Sequence, residues 1–461
     1  MQKVIELLIA LLIFLIPWQA RWVIRAGELN GSFWEYGTIA VYTTDILFLV
    51  ILLLIGILVI QQRRLLNNPS SPPLTLRGGM IGLLFVGYLV GSIFLSPDKL
   101  VAVYTSIKLF EGIGLFFLLK HFWSGRTYFD FAFIVSAVVQ SVLAIAQFFT
   151  QSVFAWPWSG IAAKDASALG VAVVQFADER WLRAYGTLPH PNILGGFLAL
   201  ALIILIAFWD RTSPRNLTPE PHPNPLLRGE GERVEERENV SRRGGLYLFV
   251  ICSLVLTTGL FFTFSRAAWI AAIIGIIVWL IAARAWRDQL TRQVLILLTA
   301  YCFVLTALFW PLVATRLSNG ERLEQRSTIE RTQGYREAWQ LFKAHPILGV
   351  GIGNYTNAVH DELRPNDPAW SYQPVHNVFV LILAELGVLG FLLFITPFVP
   401  RILRGRWSES IGFLSIVILM SLDHSFWTLH SGILILWAFL ALYSVVHRDS
   451  TEQIGSAHRT S

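Results

Sequence analysis

Uninterrupted apolar runs, rather than alternation or a repeating amphipathic stripe, dominate the chain. Twelve of them, roughly 4–19, 38–60, 80–96, 100–119, 128–149, 191–209, 246–264, 267–283, 293–313, 377–398, 409–425 and 430–446, approach the ~20 residues that cross about 30 Å of hydrocarbon. Lipid offers backbone groups no hydrogen-bond partner, so each run must satisfy its own N–H and C=O groups as a helix. Barrel strands would alternate instead. The first run has the look of a signal peptide, but Gln19-Ala20-Arg21 is a poor cleavage site and more spans follow, so it is read as the first span. The pattern predicts an all-α integral membrane protein, residues 1–461 forming one polytopic domain with about twelve transmembrane helices.

The connections decide sidedness. Those at 61–79 (Arg63, Arg64, Arg77), 120–127 (Lys120, Arg126), 284–292 (Arg284, Arg287, Arg292) and 399–407 (Arg401, Arg404, Arg406) are basic and mostly short, which places them on the cytoplasmic side of the inner membrane. An even number of spans then puts both termini inside. The alternate connections face outward: short ones near 97–99 and 426–429, and long ones at 150–190 and 314–376, the latter a large, partly helical loop between spans nine and ten. One inside connection, 210–245, combines five prolines with a dense charge run, a composition that buries no core and predicts a disordered insertion. No short internal repeat argues for a solenoid, whereas an inverted transporter-like repeat would escape inspection.

Composition supports this picture: 54% of residues are hydrophobic and 14% charged, against roughly 25% charged in soluble domains. The net charge of +6 comes from Lys and Arg spread between apolar runs, not gathered on one basic face, so it reports orientation and not nucleic-acid binding. Cys252 and Cys302 both fall in spans and support neither a disulfide nor a thiolate metal site.

Candidate chemistry gathers in the outward segments. In 314–376, Ser327 and Glu330 predict a capped helix start, and Tyr335, Ala338, Trp339 and Phe342 follow helical spacing up to Pro346. Their stripe would lie on the membrane surface or the bundle top, leaving Gln333, Arg336, Glu337 and Gln340 outward; Arg336 is either a solvated charge or a functional one. Gly349, Gly351 and Gly353, after His345-Pro346, permit tight turns or close approach to a ligand, but they match neither a dinucleotide fingerprint nor a phosphate loop. His376-Asn377 opens the tenth span, where an imidazole can act as a neutral base or simply bond a loop carbonyl. Glu385 lies nine residues deeper, about 13 Å along a helix, and needs a partner or a polar cavity there. Arg183 through Asn192 leads into the sixth span. Arg266, in the hairpin Thr263-Phe264-Ser265-Arg266, either snorkels to headgroups or holds phosphate oxygens.

Taken together, Tyr335 to Trp339, His345-Pro346 to Gly351, His376-Asn377, Glu385-Leu386-Gly387, the Thr263–Arg266 hairpin and Gly186-Thr187…Pro191-Asn192 resemble the O-antigen ligase superfamily over roughly residues 180–395. That superfamily includes O-antigen ligases, Wzy-type polymerases and bacterial O-linked oligosaccharyltransferases. The resemblance implies transfer of a glycan from an undecaprenyl-pyrophosphate carrier to a hydroxyl of lipid A core, polysaccharide or protein on the outer face, with membrane lipids as surroundings. No cofactor and no metal is implied. His376 would activate or orient the acceptor, while Arg266, Arg183 and Arg336 would bind pyrophosphate. Asn192, Asn377 and Glu385 are further substrate-binding candidates, with His345, Gly349, Gly351 and Gly353 shaping the loop. The sequence adds that 20–37 holds Glu28 and Glu35 but no close acidic pair, and that no His/Asp/Glu cluster has ligand spacing. The insertion at 210–245 departs from the family pattern.

A transporter or flippase of lipid-linked glycans is the alternative from another class. Lys108 and Glu111, three apart within the fourth span, fit it as an ion pair or a substrate contact. A sixty-residue outer loop carrying His, Arg and Gly motifs fits a transferase better.

Overall fold

The computed structural model describes residues 1–65, 79–122, 128–156, 160–177, 179–212, 228–282, 285–318, 322–396 and 407–457. The apolar runs become α1 (Gln2–Leu15), α2 (Thr43–Leu65), α3 (Gly79–Leu95), α4 (Lys99–Phe122), α5 (Tyr128–Thr150), α6 (Pro191–Thr212), α7 (Arg228–Phe262), α8 (Arg266–Ala282) and α9 (Gln289–Leu308). Then follow α10 (Trp310–Leu317), α11 (Arg322–Ala344), α12 (Val378–Ile395), α13 (Trp407–Leu422) and α14 (His430–Ala457). Among the described residues, seven helices (α2, α4, α5, α6, α7, α9 and α12) are long and apolar enough to cross a membrane, and α3, α8, α13 and α14 contain shorter apolar stretches. The protein is thus a multi-pass, helical membrane protein.

Burial separates centre from rim. The apolar window of α6 is 78% buried against 17% for α9, so α6 is the hub, packed on α5, α7, α8 and α14, and α9 is peripheral. Leu53, Phe94, Phe117, Ile296 and Phe303 point outward. In a bilayer those side chains meet lipid, which solvates them as well as a protein core would.

Several boundaries differ from the hydropathy pattern. The ninth run, read to residue 313, breaks at Phe309, because Pro311 lacks the N–H to continue a helix and instead starts α10. Residues 39–42, read as part of the start of the second span, form a strand instead. The connections at 20–42 and 150–190 also hold small sheets where only loop was foreseen: β1 (Arg21–Arg25) pairs with β4 (Ile39–Tyr42), β2 (Glu28–Leu29) with β3 (Ser32–Phe33), β5 (Ser152–Val153) with β6 (Lys164–Asp165), and β7 (Val173–Phe176) with β8 (Glu179–Leu182). The β2–β3 turn is Asn30-Gly31, both at positive φ, a two-residue hairpin chemistry readable in the sequence.

Helix α11 starts at Arg322, so Ser327 lies inside it rather than capping it. Its buried face is Glu324, Gly334, Glu337, Ala338 and Leu341, while Tyr335 and Trp339 are exposed. The helix is rotated from the apolar-stripe reading because Glu337 finds Arg364 at 2.9 Å and Gly334 lets Val375 and the Tyr355 hydroxyl approach its backbone.

Gly387 interrupts α12 with φ +62°, and residues 346–351 fill the break. Val350 N–H donates to Ala384 O, Gly351 N–H to Glu385 O, and Val388 N–H to Pro346 O, at 3.0, 2.8 and 2.9 Å. A Cβ on Gly349 would sit 2.3 Å from the Glu385 carbonyl. The alternate glycines therefore serve chain-on-chain approach.

Of the basic connections, Arg77, Arg126, Arg284, Arg401, Arg404 and Arg406 lie outside the described residues, as do 213–227 of the 210–245 segment. Residues 228–245 of that segment belong to α7 and continue into its span.

Candidate active site

The hairpin between α7 and α8 organises the site. Phe264 is buried with φ +47°, a costly conformation for a bulky residue that ends α7 abruptly. The turn aims two carbonyls sideways: Thr263 O accepts from Arg183 Nε at 2.8 Å and Phe264 O from Arg316 Nε at 3.1 Å. Arg266, the first residue of α8, reaches back to the Arg316 carbonyl at 3.1 Å and to Glu324 at 3.4 Å, while Glu324 also pairs closely with Arg316.

The strip 183–192 is fixed from below by two glutamines of α5. Gln147 accepts from Tyr185 and Gly186 N–H and donates to Gly186 O at 2.7 Å; Gln140 accepts from Thr187 N–H at 2.8 Å. A side chain on Gly186 would strike Gln140, which accounts for glycine there. Asn192, near the start of α6, accepts from Arg183 at 2.7 Å and donates to Asp423 at 3.3 Å.

These elements enclose a cavity of about 780 Å³ whose lining includes Arg183, His190, Asn192, Arg316, Glu324, Arg331, His376, Asp423 and His424. Its size falls within the ~300–1,000 Å³ of ligand sites. Arg183 makes no ion pair among the described residues, and Arg331 keeps its Nε buried with no hydrogen-bond partner there. Burial, with neighbouring guanidinium groups, pushes Arg183, Arg316 and Arg331 below the usual arginine range. An anion relieves that crowding.

The His376 ring meets His424 edge-on, centroids 5.2 Å apart. Burial, then the neighbouring His424, lowers His376 to about 4; burial, then Arg183, takes His190 to about 3. Both are neutral at pH 7. Asp423, just past α13, is buried, which opposes ionisation, yet His424, His376 and the Ser425 N–H hold its carboxyl below the usual range. The cavity therefore combines a neutral imidazole, an ionised carboxylate and a wall of guanidinium groups.

A family profile described as O-Antigen ligase matches residues 250–395, the stretch that runs from within α7, across the hairpin, to the end of the kinked α12. That segment is similar to the O-antigen ligase family. Residues over 31% of the chain are also 28% identical to a curated O-antigen ligase of Salmonella typhimurium, over 158 positions. The chain spans about a third of that relative's length, 36%.

Of the sequence candidates, His376, Arg183 and Asn192 line the cavity, His376 within the matched segment and the other two before it. Arg266 does not; it stands behind Glu324. Arg336 lies on the exposed face of α11, away from the lining. Asn377 caps α12, accepting from Phe379 and Val380 N–H. Glu385 has the Trp427 indole at 2.8 Å and the Gly353 and Tyr355 N–H groups. His345 pairs with Glu362 at 3.1 Å on the surface, and Gly349, Gly351 and Gly353 pack on Glu385, Ser96 and Thr105.

The sequence reading missed His190, Arg316, Arg331, Asp423 and His424. Two signals were present: Glu324, Ser327 and Arg331 recur at i, i+3 and i+7, and Asp423-His424 sits in a stretch read as the eleventh span. Spacing along the chain likewise hid the group formed by Asp45, Glu111 and His430, whose ligand atoms lie within 4.8 Å of one another. Lys108 pairs with both carboxylates and supplies the positive charge there.

Proposed function

We propose that the protein transfers a glycan from an undecaprenyl-pyrophosphate carrier to an acceptor hydroxyl, on the outer face of the cytoplasmic membrane. The observation that carries this reading is one cavity in which a neutral His376 shares the space with Arg183, Arg316 and Arg331. His376 takes the proton as the acceptor oxygen attacks the anomeric carbon. The bond from that carbon to the pyrophosphate oxygen breaks, and charge builds on the departing pyrophosphate. Arg183 and Arg331, without carboxylate partners of their own among the described residues, receive it; Arg316 adds charge, and Asn192 holds Arg183 in place. A general base works best with a pKa near the operating pH, and the phosphate charges of a bound donor push His376 back up toward it.

The topology that goes with this proposal has twelve spans, both termini cytoplasmic and the cavity outside. Residues 180–395 form the catalytic region and 314–376 its long outer loop, and neither cofactor nor metal takes part. The transporter reading rests on Lys108 and Glu111, but these sit in a closed, mutually paired cluster with Asp45 and His430, which reads as a structural tie between α2, α4 and α14. Deletion followed by glycan profiling tests the proposal: lipid A core without polymer marks a ligase, single-repeat chains a polymerase, unmodified protein an oligosaccharyltransferase. His376→Ala should reduce transfer by roughly 10²–10⁴-fold with expression intact; unchanged product removes it from the mechanism.

A further inference from the structure

The phosphate wall occupies only one part of the cavity. Elsewhere the lining comes from residues 153–173, from the first outer segment, 20–42, and from the turn 369–371, and the last two bring aromatic rings and charged groups together. Phe33 and Trp370, both 60% exposed, line it, brought near each other because β3 packs on that turn and Asn30 donates to the Pro365 and Asp367 carbonyls at 2.9 and 2.8 Å. The Arg326 guanidinium lies over the Trp370 ring, 5.0 Å from its centroid, and the area that both rings leave exposed is surface that a ligand can cover. Deeper, Tyr36 meets the His424 ring at 5.8 Å, one ring away from His376. Beside Tyr36, Glu35 and Arg21 form a two-pronged pair at 2.5 and 3.1 Å, still 40% and 29% exposed.

Such a wall has a definite chemical preference. A pyranose ring has an apolar C–H face, weakly positive, that lies on the negative face of an aromatic ring, and a rim of hydroxyls that both donate and accept. The Arg21–Glu35 pair offers fixed donors and fixed acceptors side by side, a match for adjacent hydroxyls. A lipid tail would leave that pair dry and unsatisfied, and a Ser or Thr side chain is too small to use both it and the rings.

We infer that Phe33, Trp370, Tyr36 and the Arg21–Glu35 pair form the acceptor subsite of this cavity, and that the acceptor is a saccharide that presents one hydroxyl to His376. This rests on the transfer reaction proposed above, and it selects a sugar acceptor over a protein one.

The test uses the full chain in nanodiscs with an undecaprenyl-pyrophosphate-linked oligosaccharide as donor. Acceptors are alkyl glucoside and galactoside in one series and a Ser/Thr peptide in the other. Trp370→Ala and Glu35→Gln should each raise the glycoside KM by roughly tenfold, the loss of about one good contact. They should leave the Kd for undecaprenyl pyrophosphate and the melting temperature unchanged, and Trp370→Tyr should recover most of the glycoside KM. An unchanged glycoside KM in both variants overturns the subsite, as does a peptide used in preference to either glycoside. If the wild-type chain fails to bind undecaprenyl pyrophosphate at all, the transfer reading itself falls and takes the subsite with it.

Discussion

Arg331 offers the sharpest test of the phosphate wall, because function and stability should respond to its removal in opposite directions. Its Nε is buried with no partner among the described residues, and burial together with Arg266 pushes it below the usual arginine range. An unsatisfied buried donor costs a fold about 1–3 kcal/mol. Arg331→Met keeps the aliphatic stem and removes that liability, so the melting temperature should hold or rise. Donor binding should suffer: hydrogen bonds to charged groups contribute ~1.5–3 kcal/mol, so the Kd for undecaprenyl pyrophosphate should weaken roughly 10- to 140-fold. Arg316 is the control. It pairs closely with Glu324, which is 3% exposed, and it donates to the Phe264 carbonyl. Arg316→Met strands that carboxylate and should cost about 3–5 kcal/mol, toward the lower end because Arg266 remains 3.4 Å away. Melting curves and donor titration on both purified variants decide the matter. Arg331→Met melting as low as Arg316→Met, or binding donor like wild type, refutes the assignment of Arg331 to phosphate.

The low His376 value sets a pH profile for free enzyme: kcat/KM should stay flat from neutrality down to about pH 5 and fall as pH drops through about 4, whereas a midpoint near 6.5 would mean an unperturbed imidazole. The same shift gives a stability sign. Unfolded chain binds the proton first, so stability is full above about 6.5 and declines as pH falls from there toward about 4, measurable as melting temperature against pH. Lys108→Ala leaves Asp45 and Glu111 buried without their cation and should cost about 3–5 kcal/mol, with the neutral pair Asp45→Asn/Lys108→Met recovering part of it. Gly387→Ala forces a side chain into φ +62° with its Cβ 2.2 Å from the Ile347 carbonyl; the backbone term alone is about 1–3 kcal/mol, and wild-type thermal stability in this variant would show that the α12 break can relax.

Hydropathy carried the helices because lipid solvation requires long apolar runs: most runs become helices within a few residues of their expected bounds, while α7 begins at Arg228, well before the run at 246, and α14 continues to Ala457, past 446. It misjudged the ends wherever a local rule prevailed, as at Pro311. The lining of the cavity was legible in part where a charge had no choice of place: Arg183 and His376 stand between apolar helices and the long connections, and both line it. Along α11 the choice failed. Tyr335 and Trp339 suggested a stripe laid on the membrane surface or the bundle top; both are exposed, and it is Gly334, Ala338 and Leu341 that pack inward. With the helix rotated, Arg336 turns out to solvent and Arg331 turns in. The Asp45, Glu111, Lys108 and His430 cluster could not be read from spacing, since it joins three spans far apart in sequence.

The hairpin at 263–266 explains why the cavity wall is positive. The last carbonyls of any helix lack partners within it, and near hydrocarbon such orphans are expensive. At the end of α7, donors arrive from Arg183 and Arg316. A helix C-terminus also favours cations, so guanidinium groups suit the position electrostatically as well as geometrically. Carbonyl partners differ from carboxylates in one respect that matters for function: they hold an arginine in place without neutralising it. Among the described residues Arg183 is held in this way, by Thr263 O and the Asn192 amide oxygen, and so keeps its charge unpaired at the cavity wall. Arg316 shares its charge with Glu324. The helix ending that the membrane demands is thus satisfied by groups whose remaining charge a pyrophosphate can use, and Arg183 should contribute more to donor binding than Arg316 although Arg316 contributes more to the fold.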